Sequence, residues 1–115
     1  MPFKYGDVVL ALFPDSNLRT AKRRPALVVT PDNLNTGLQQ TIVAMITSNM
    51  ARAGHASRVS VQQASTEGRA MGIVSDSVIM TDNLATLLHS EIDRTIGRCN
   101  VMPQVQNALR NTFGL

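Results

Sequence analysis

Apolar residues run almost unbroken from Val8 to Phe13 in "YGDVVLALF", behind the punctuation of Gly6 and Asp7. A short continuous run of this kind, rich in β-branched residues, predicts a buried strand. Polar residues then take over in "PDSNLRTAKRRP", which predicts a long loop. "PALVVT" restores the buried-strand pattern, with Pro25 at its first position, where a missing N–H is tolerated. "PDNLNTG" is turn material, and "QQTIVAMIT" predicts a third strand.

Beyond Thr47 the pattern weakens. "SNMARAGHAS" predicts a polar, flexible loop and "RVSV" a short alternating strand. "SVIMT" and "LATLL" are two further apolar pieces, interrupted by Asp82 and Asn83. "HSEID" suits a single helical turn and "TIGRCNV" a last strand. The tail changes period: Met102, Val105, Leu109 and Phe113 recur at helical spacing, Pro103 fits the first turn and Gly114 the C-cap. Many strands followed by one terminal helix predict a mainly β fold, a small curved sheet or barrel closed by that helix.

At 115 residues the chain has room for one core and so for a single domain spanning 1–115. The longest apolar run is too short to cross a bilayer, and "MPFKYGD" carries no apolar export segment. The expected partners therefore include no membrane, and the expected compartment is the cytoplasm. One cysteine, Cys99, cannot form an internal disulfide and fits a reducing environment. It alternates with Arg98 and Asn100 and is expected as a small core residue.

The chain carries a net charge of +3, which permits an anionic partner. Its placement says more, because Arg19, Lys22, Arg23 and Arg24 crowd one stretch, with Arg52, Arg58 and Arg69 in a second polar region. Aromatic residues are only 3% of the chain, which argues against base stacking on an aromatic platform. Phosphate-loop, dinucleotide, nucleophile-elbow and HExxH motifs are absent. His55 and His89 lack metal-ligand spacing and are expected as solvated loop residues. The eight acidic residues are scattered, so a two-metal nuclease is disfavoured and no metal site is expected.

Two readings of the basic stretch stand side by side: solubility, or a phosphate. Arg24 abuts Pro25 and a strand, and a guanidinium with a fixed backbone binds phosphate with little loss of freedom. Thr47, Ser48 and Asn49, at the end of the third strand, could donate to the same phosphate or cap a turn.

"GDVVLALF", "KRRPALVVT", "IVAMITS", "GIVSDSVIM" and "IGR", with a helix at the end, resemble the MazF/PemK toxins of bacterial toxin–antitoxin pairs, in order and in spacing over nearly the whole chain. The resemblance implies a dimeric SH3-like (CcdB/MazF-like) barrel. It also implies a metal- and cofactor-independent endoribonuclease that cleaves single-stranded mRNA by attack of the 2′-OH, giving 2′,3′-cyclic phosphate and 5′-OH ends. The family's catalytic arginine precedes the proline of "RPA", here Arg24, and its threonine ends "IT", here Thr47. A family acid corresponds to Asp82 in "DNLAT", with Asn83 beside it as an RNA-contacting residue. Asn83 and Ala85 stand where the family places glutamine and arginine, and Met80 where some members have another arginine.

On that reading Arg24 is the electrostatic clamp, with proton donation as a further role, and Thr47 positions the phosphate. Asp82 accepts a proton or reads a base edge, and the identity of the general base is left open. Arg19, Lys22, Arg23, Ser48 and Asn49 hold the flanking RNA. The implied partners are single-stranded RNA, a second copy of the chain, and an antitoxin with an acidic disordered segment. Two other classes remain. The ending Phe113-Gly114-Leu115 resembles the aromatic-Gly-aliphatic terminus of CcdB-type gyrase poisons, although a core Phe and a capping Gly would look the same. A relative that binds RNA or antitoxin without cleaving is the other.

Overall fold

The computed structural model describes residues 3–15 and 17–115. Six strands form one sheet: β1 (Asp7–Pro14), β2 (Ala21–Val28), β3 (Gln40–Thr47), β4 (Arg58–Val61), β5 (Ser77–Leu88) and β6 (Ile92–Arg98). Their order is β4-β5-β3-β2-β1-β6, and every pairing is antiparallel. Helix α1 (Thr66–Met71) precedes β5, and α2 (Met102–Phe113) closes the chain.

Both faces of the sheet are buried, which is why its strands read as continuous apolar runs. Val8, Leu27, Ala44, Ile46 and Ile79 pack on one face with Met71 of α1 and Met102 and Val105 of α2. Their chain neighbours Val9, Ala26, Val28 and Val43 join Ala11, Phe13, Leu87 and Ile92 in a second core on the other face. The edges β4 and β6 are not hydrogen-bonded to each other, so the barrel is open. Helices fill the gap instead, α1 against β6 and α2 against β4 and β5.

The tail helix forms as its periodicity predicts, with Gly114 left-handed at its cap (φ 68°). Phe113, however, is exposed, and Ala108 completes the buried stripe. Cys99 is buried just beyond β6, and burial pushes its thiol up. A single 3-10 turn at His89–Glu91 matches the expected turn, and another at Met50–Arg52 orders part of the loop after β3.

Three differences from the sequence reading matter. First, β2 begins at Ala21, so the basic stretch is strand, not loop, laddered to β1 from Pro14↔Ala21 onward. Pro25 is tolerated mid-strand because β3 pairs with β2 only from Ala26 on, leaving Pro25 on a free edge on that side. Second, β5 is one strand. Met45 faces Met80 while the adjacent Ala44 faces Leu84, so Thr81, Asp82 and Asn83 are accommodated as a bulge. Third, α1 was not predicted. Six residues are too few for a visible period, although Ser65 caps its start and Gly72 (φ 72°) its end. Among the described residues no helix is long and apolar enough to cross a membrane.

Candidate active site

The strand pleat divides the cations. Side chains alternate along a strand, so Lys22 and Arg24 share the face of Ala26 and Val28 while Arg23 takes the opposite one. There Arg23 meets Asp93 of β6 at 3.7 Å, with the arginine well exposed. Arg24, in register with the buried Ala11, is 31% exposed along its side chain. Its Nη2 donates to Asp15 Oδ1 at 2.9 Å, and its Nε is buried with no hydrogen-bond partner in the protein.

Asp15 is itself held. Its carboxylate accepts from Thr20 Oγ1 at 2.6 Å, its N–H donates to the Thr20 carbonyl, and its own carbonyl accepts from the N–H of Leu18. The Thr20 hydroxyl and then the Arg24 guanidinium hold its carboxyl below the usual aspartate range. Buried polar atoms are normally paired, so the orphaned Arg24 Nε marks a place where an acceptor such as a phosphate oxygen would be favourable.

Thr47 ends β3, opposite Val78 of β5. Ala26 pairs with Met45, and continuing that register by two residues sets Thr47 against Arg24 on the same face. The ladder between β2 and β3 has stopped there, so Arg24 and Thr47 lie on edges that β2 and β3 no longer pair with each other. Thr47 Oγ1 accepts from the N–H of Asn49, which leaves its own proton for another acceptor. Asn49 Oδ1 accepts from Ala51 N–H and caps the 3-10 turn, while Ser48 is exposed.

The bulge in β5 sends Asp82 and Asn83 in different directions. Asn83 Nδ2 lies 3.6 Å from Met45 Sδ, two residues before Thr47. Asp82 instead accepts from Arg58 on β4 through both oxygens, from Nε at 3.3 Å and Nη2 at 2.8 Å. Arg58 Nη1 also donates to the Arg52 carbonyl at 3.1 Å, tying the loop after Thr47 to the bulge. The Arg58 hydrogen bond holds the Asp82 carboxyl below its ordinary value, against an opposing effect of burial. Extended beyond its last pair, the β2–β3 register puts Thr47 level with Arg24, and the structure commits Asp82 to Arg58. Met80 is buried between Met45 and Arg58, with no charge to offer.

The Arg58–Asp82 pair has a pH signature. A depressed carboxyl stabilises the fold above its unfolded pKa, and that contribution is lost as pH falls through the folded value. Asp82→Asn is therefore expected to lower Tm by roughly 2–5 °C at pH 7, and the difference from wild type should shrink as pH falls below the ordinary aspartate range and through the depressed folded value. Arg58→Ala is expected to add little on top of Asp82→Asn. Thermal melts of the two single variants and the double variant across that pH range check this.

Arg19 is exposed in the β1–β2 loop, where its N–H caps onto Asn17. A concavity of about 620 Å³ lies elsewhere, under the 31–39 loop and beside His89 at the other end of β2 and β3. It contains none of the cations, so we place the site at Arg24. Sequence reasoning did not single out Asp15, Thr20 or Arg58 as partners. Nothing in their spacing signals a pairing that only the β1–β2 hairpin and the β4–β5 register create. Among the described residues no three His, Cys, Asp or Glu side chains cluster as metal ligands would.

Comparison with known proteins identifies the family and the fold. Residues 4–113 match the family described as PemK-like, MazF-like toxin of type II toxin-antitoxin system. Endoribonuclease MazF2 of Mycobacterium bovis and Endoribonuclease MazF6 of Mycobacterium tuberculosis are each 31% identical over 107 residues, covering 90% of both chains. The solved Mycobacterium tuberculosis toxin MazF-mt6 superposes with a TM-score of 0.72 at 27% identity, over 95% of this chain and 97% of its own. A MazE-MazF complex from Deinococcus radiodurans, at 20% identity and a TM-score of 0.71 over 100% of this chain and 98% of that one, shares the fold. The chain belongs to the PemK-like, MazF-like toxins of type II toxin-antitoxin systems.

Proposed function

We propose that this chain is a single-domain toxin, residues 1–115, that cuts single-stranded mRNA without a metal. The observation that carries this reading is Arg24, half-buried within β2 on the face that the β2–β3 register gives to Thr47, with an orphaned Nε beside an anchored Nη2. In a metal-free cleavage the 2′-OH attacks the adjacent phosphorus and the 5′ oxygen leaves, so negative charge accumulates on the phosphorane. A preorganised guanidinium stabilises that charge without reorganising, and one well-placed donor is worth about 3–4 kcal/mol. Thr47 donates its hydroxyl proton to a second phosphate oxygen. Lys22, on the face of Arg24, and Arg19 in the neighbouring loop hold flanking phosphates. Asn83, Ser48 and Asn49 line the same end. Asp82 anchors the loop after Thr47 through Arg58.

The relatives named as endoribonucleases support this class over the gyrase-poison alternative. Exposed Phe113 and Leu115 are then surface groups whose removal leaves cleavage intact. One solved relative is an endoribonuclease in complex with its cognate antitoxin. By analogy, an antitoxin with an acidic disordered segment covers the basic face of a homodimer of this chain, in the cytoplasm where mRNA is found.

Incubation with a long unstructured RNA in excess EDTA tests the reading, with discrete cuts bearing 5′-OH and 2′,3′-cyclic ends expected. Intact RNA would leave a binding protein. Binding to a non-cleavable 2′-deoxy analogue should weaken with salt, with a log–log slope of about −2 for three neutralised phosphates. Lys22→Ala should reduce that slope by about 0.7, whereas Arg23→Ala, on the Asp93 face, should leave it unchanged.

A further inference from the structure

A metal-free cleavage needs a group to take the proton of the attacking 2′-OH, and the arginine clamp is ill-suited to that because guanidinium does not readily give up its charge. Of the eight acidic residues in the chain, Asp15 is the one bonded to Arg24. Asp82 is paired with Arg58 across β4 and β5 and has no bond to Arg24. His89 pairs with Gln39 at the far end of the sheet, and His55 Nδ1 accepts the Ser57 N–H.

Resting on the ribonuclease reading, we propose that Asp15, and not Asp82, is the general base that accepts the 2′-OH proton. A base must lie within hydrogen-bond reach of the proton it removes. The 2′ oxygen is attached to the carbon next to the one bearing the scissile phosphate. Asp15 lies 2.9 Å from Nη2 of the same guanidinium whose unpartnered Nε is offered to that phosphate, so its carboxylate is placed on the side of the attacking hydroxyl.

Two further features fit the role. The Thr20 hydroxyl and the backbone bonds between Asp15 and Thr20 hold the carboxylate in place at the mouth of the β1–β2 hairpin. In the free protein the Thr20 hydroxyl and then Arg24 hold Asp15 below its ordinary basicity. A phosphate that shares the guanidinium charge relaxes the Arg24 part of that depression and so raises the basicity of the carboxylate while substrate is bound.

The step balances. Asp15 takes the 2′-OH proton as the 2′-oxygen–phosphorus bond forms. The bond from phosphorus to the 5′ oxygen breaks, and that oxygen takes a proton from a water molecule. The hydroxide so produced is neutralised by the proton on Asp15, which restores the carboxylate. The products are a 2′,3′-cyclic phosphate and a 5′-OH, with no oxidant or metal required.

The test uses the full chain, an unstructured RNA in EDTA, and Asp15→Asn, Asp15→Ala and Asp82→Ala proteins whose circular dichroism matches wild type. Cleavage by wild type establishes the underlying reading independently of Asp15. Both Asp15 variants should then lose about a hundred- to ten-thousand-fold in rate. Their affinity for the 2′-deoxy analogue should be equal to or tighter than that of wild type, since Arg24 loses a competing carboxylate. Chloroacetate, formate and acetate should restore cleavage to Asp15→Ala in rising order of basicity, and should do nothing for Asp82→Ala. Three results would each overturn the proposal. They are full activity in Asp15→Asn, a binding loss that matches the rate loss, and rescue that is indifferent to carboxylate basicity, which would reduce Asp15 to orienting Arg24.

Discussion

Arg24→Ala is expected to cut the rate of EDTA-resistant RNA cleavage by about a hundred- to a thousand-fold, the effect of removing one preorganised donor from a developing oxyanion. The loss should fall mainly on kcat, because the guanidinium meets more negative charge in the transition state than in bound RNA. Arg24→Lys should recover little of it. An ammonium is a point charge that cannot reproduce the planar fork now directing Nη2 to Asp15 and Nε into the site. A thermal melt accompanies the assay because Arg24 is partly buried and its removal leaves Asp15 without its partner. A folded Arg24→Ala protein with undiminished cleavage would remove Arg24 from the chemistry.

Gly97→Ala should produce a large loss of stability. Gly97 sits in β6 opposite Val8, where the end of α1 lies directly on the strand. A Cβ there would stand 2.3 Å from the Met71 carbonyl carbon and 2.4 Å from its oxygen. Those atoms are backbone and cannot swing aside as a side chain would. A loss of at least about 3 kcal/mol is expected, a large part of the 5–15 kcal/mol typical of a domain. The observable is a fall in Tm of more than about 10 °C. A variant that melts with wild type would show that α1 can move off β6 at little cost.

The chain was legible where structure is local. The buried strands at Val8–Phe13 and Thr41–Thr47, the short strand from Arg58, the tail helix with its Gly114 cap and the buried Cys99 all follow from periods and caps contained within a few residues. It was illegible where a partner supplies the reason. Ala21–Arg24 is too polar to read as strand, yet it is one, because β1 offers it a ladder. Asp82 and Asn83 look like a break in the sequence, yet β5 runs through them, because a bulge absorbs residues that pairing cannot.

The site shows the same division. Sequence by itself determined which groups carry charge and hydroxyls, and the motif order that places Arg24 before Pro25 and Thr47 at a strand end. Only the tertiary structure decided what each of them meets. The pleat turned Arg23 away toward Asp93, the β2–β3 register gave Thr47 and Arg24 a common face, and Arg58 and Asp82, 24 residues apart in the chain, found each other across β4 and β5. A side chain's type is a property of one position, whereas its face and partner depend on register with strands elsewhere in the chain. Shifting that register by one residue would exchange the two faces and carry Arg24 away from its site.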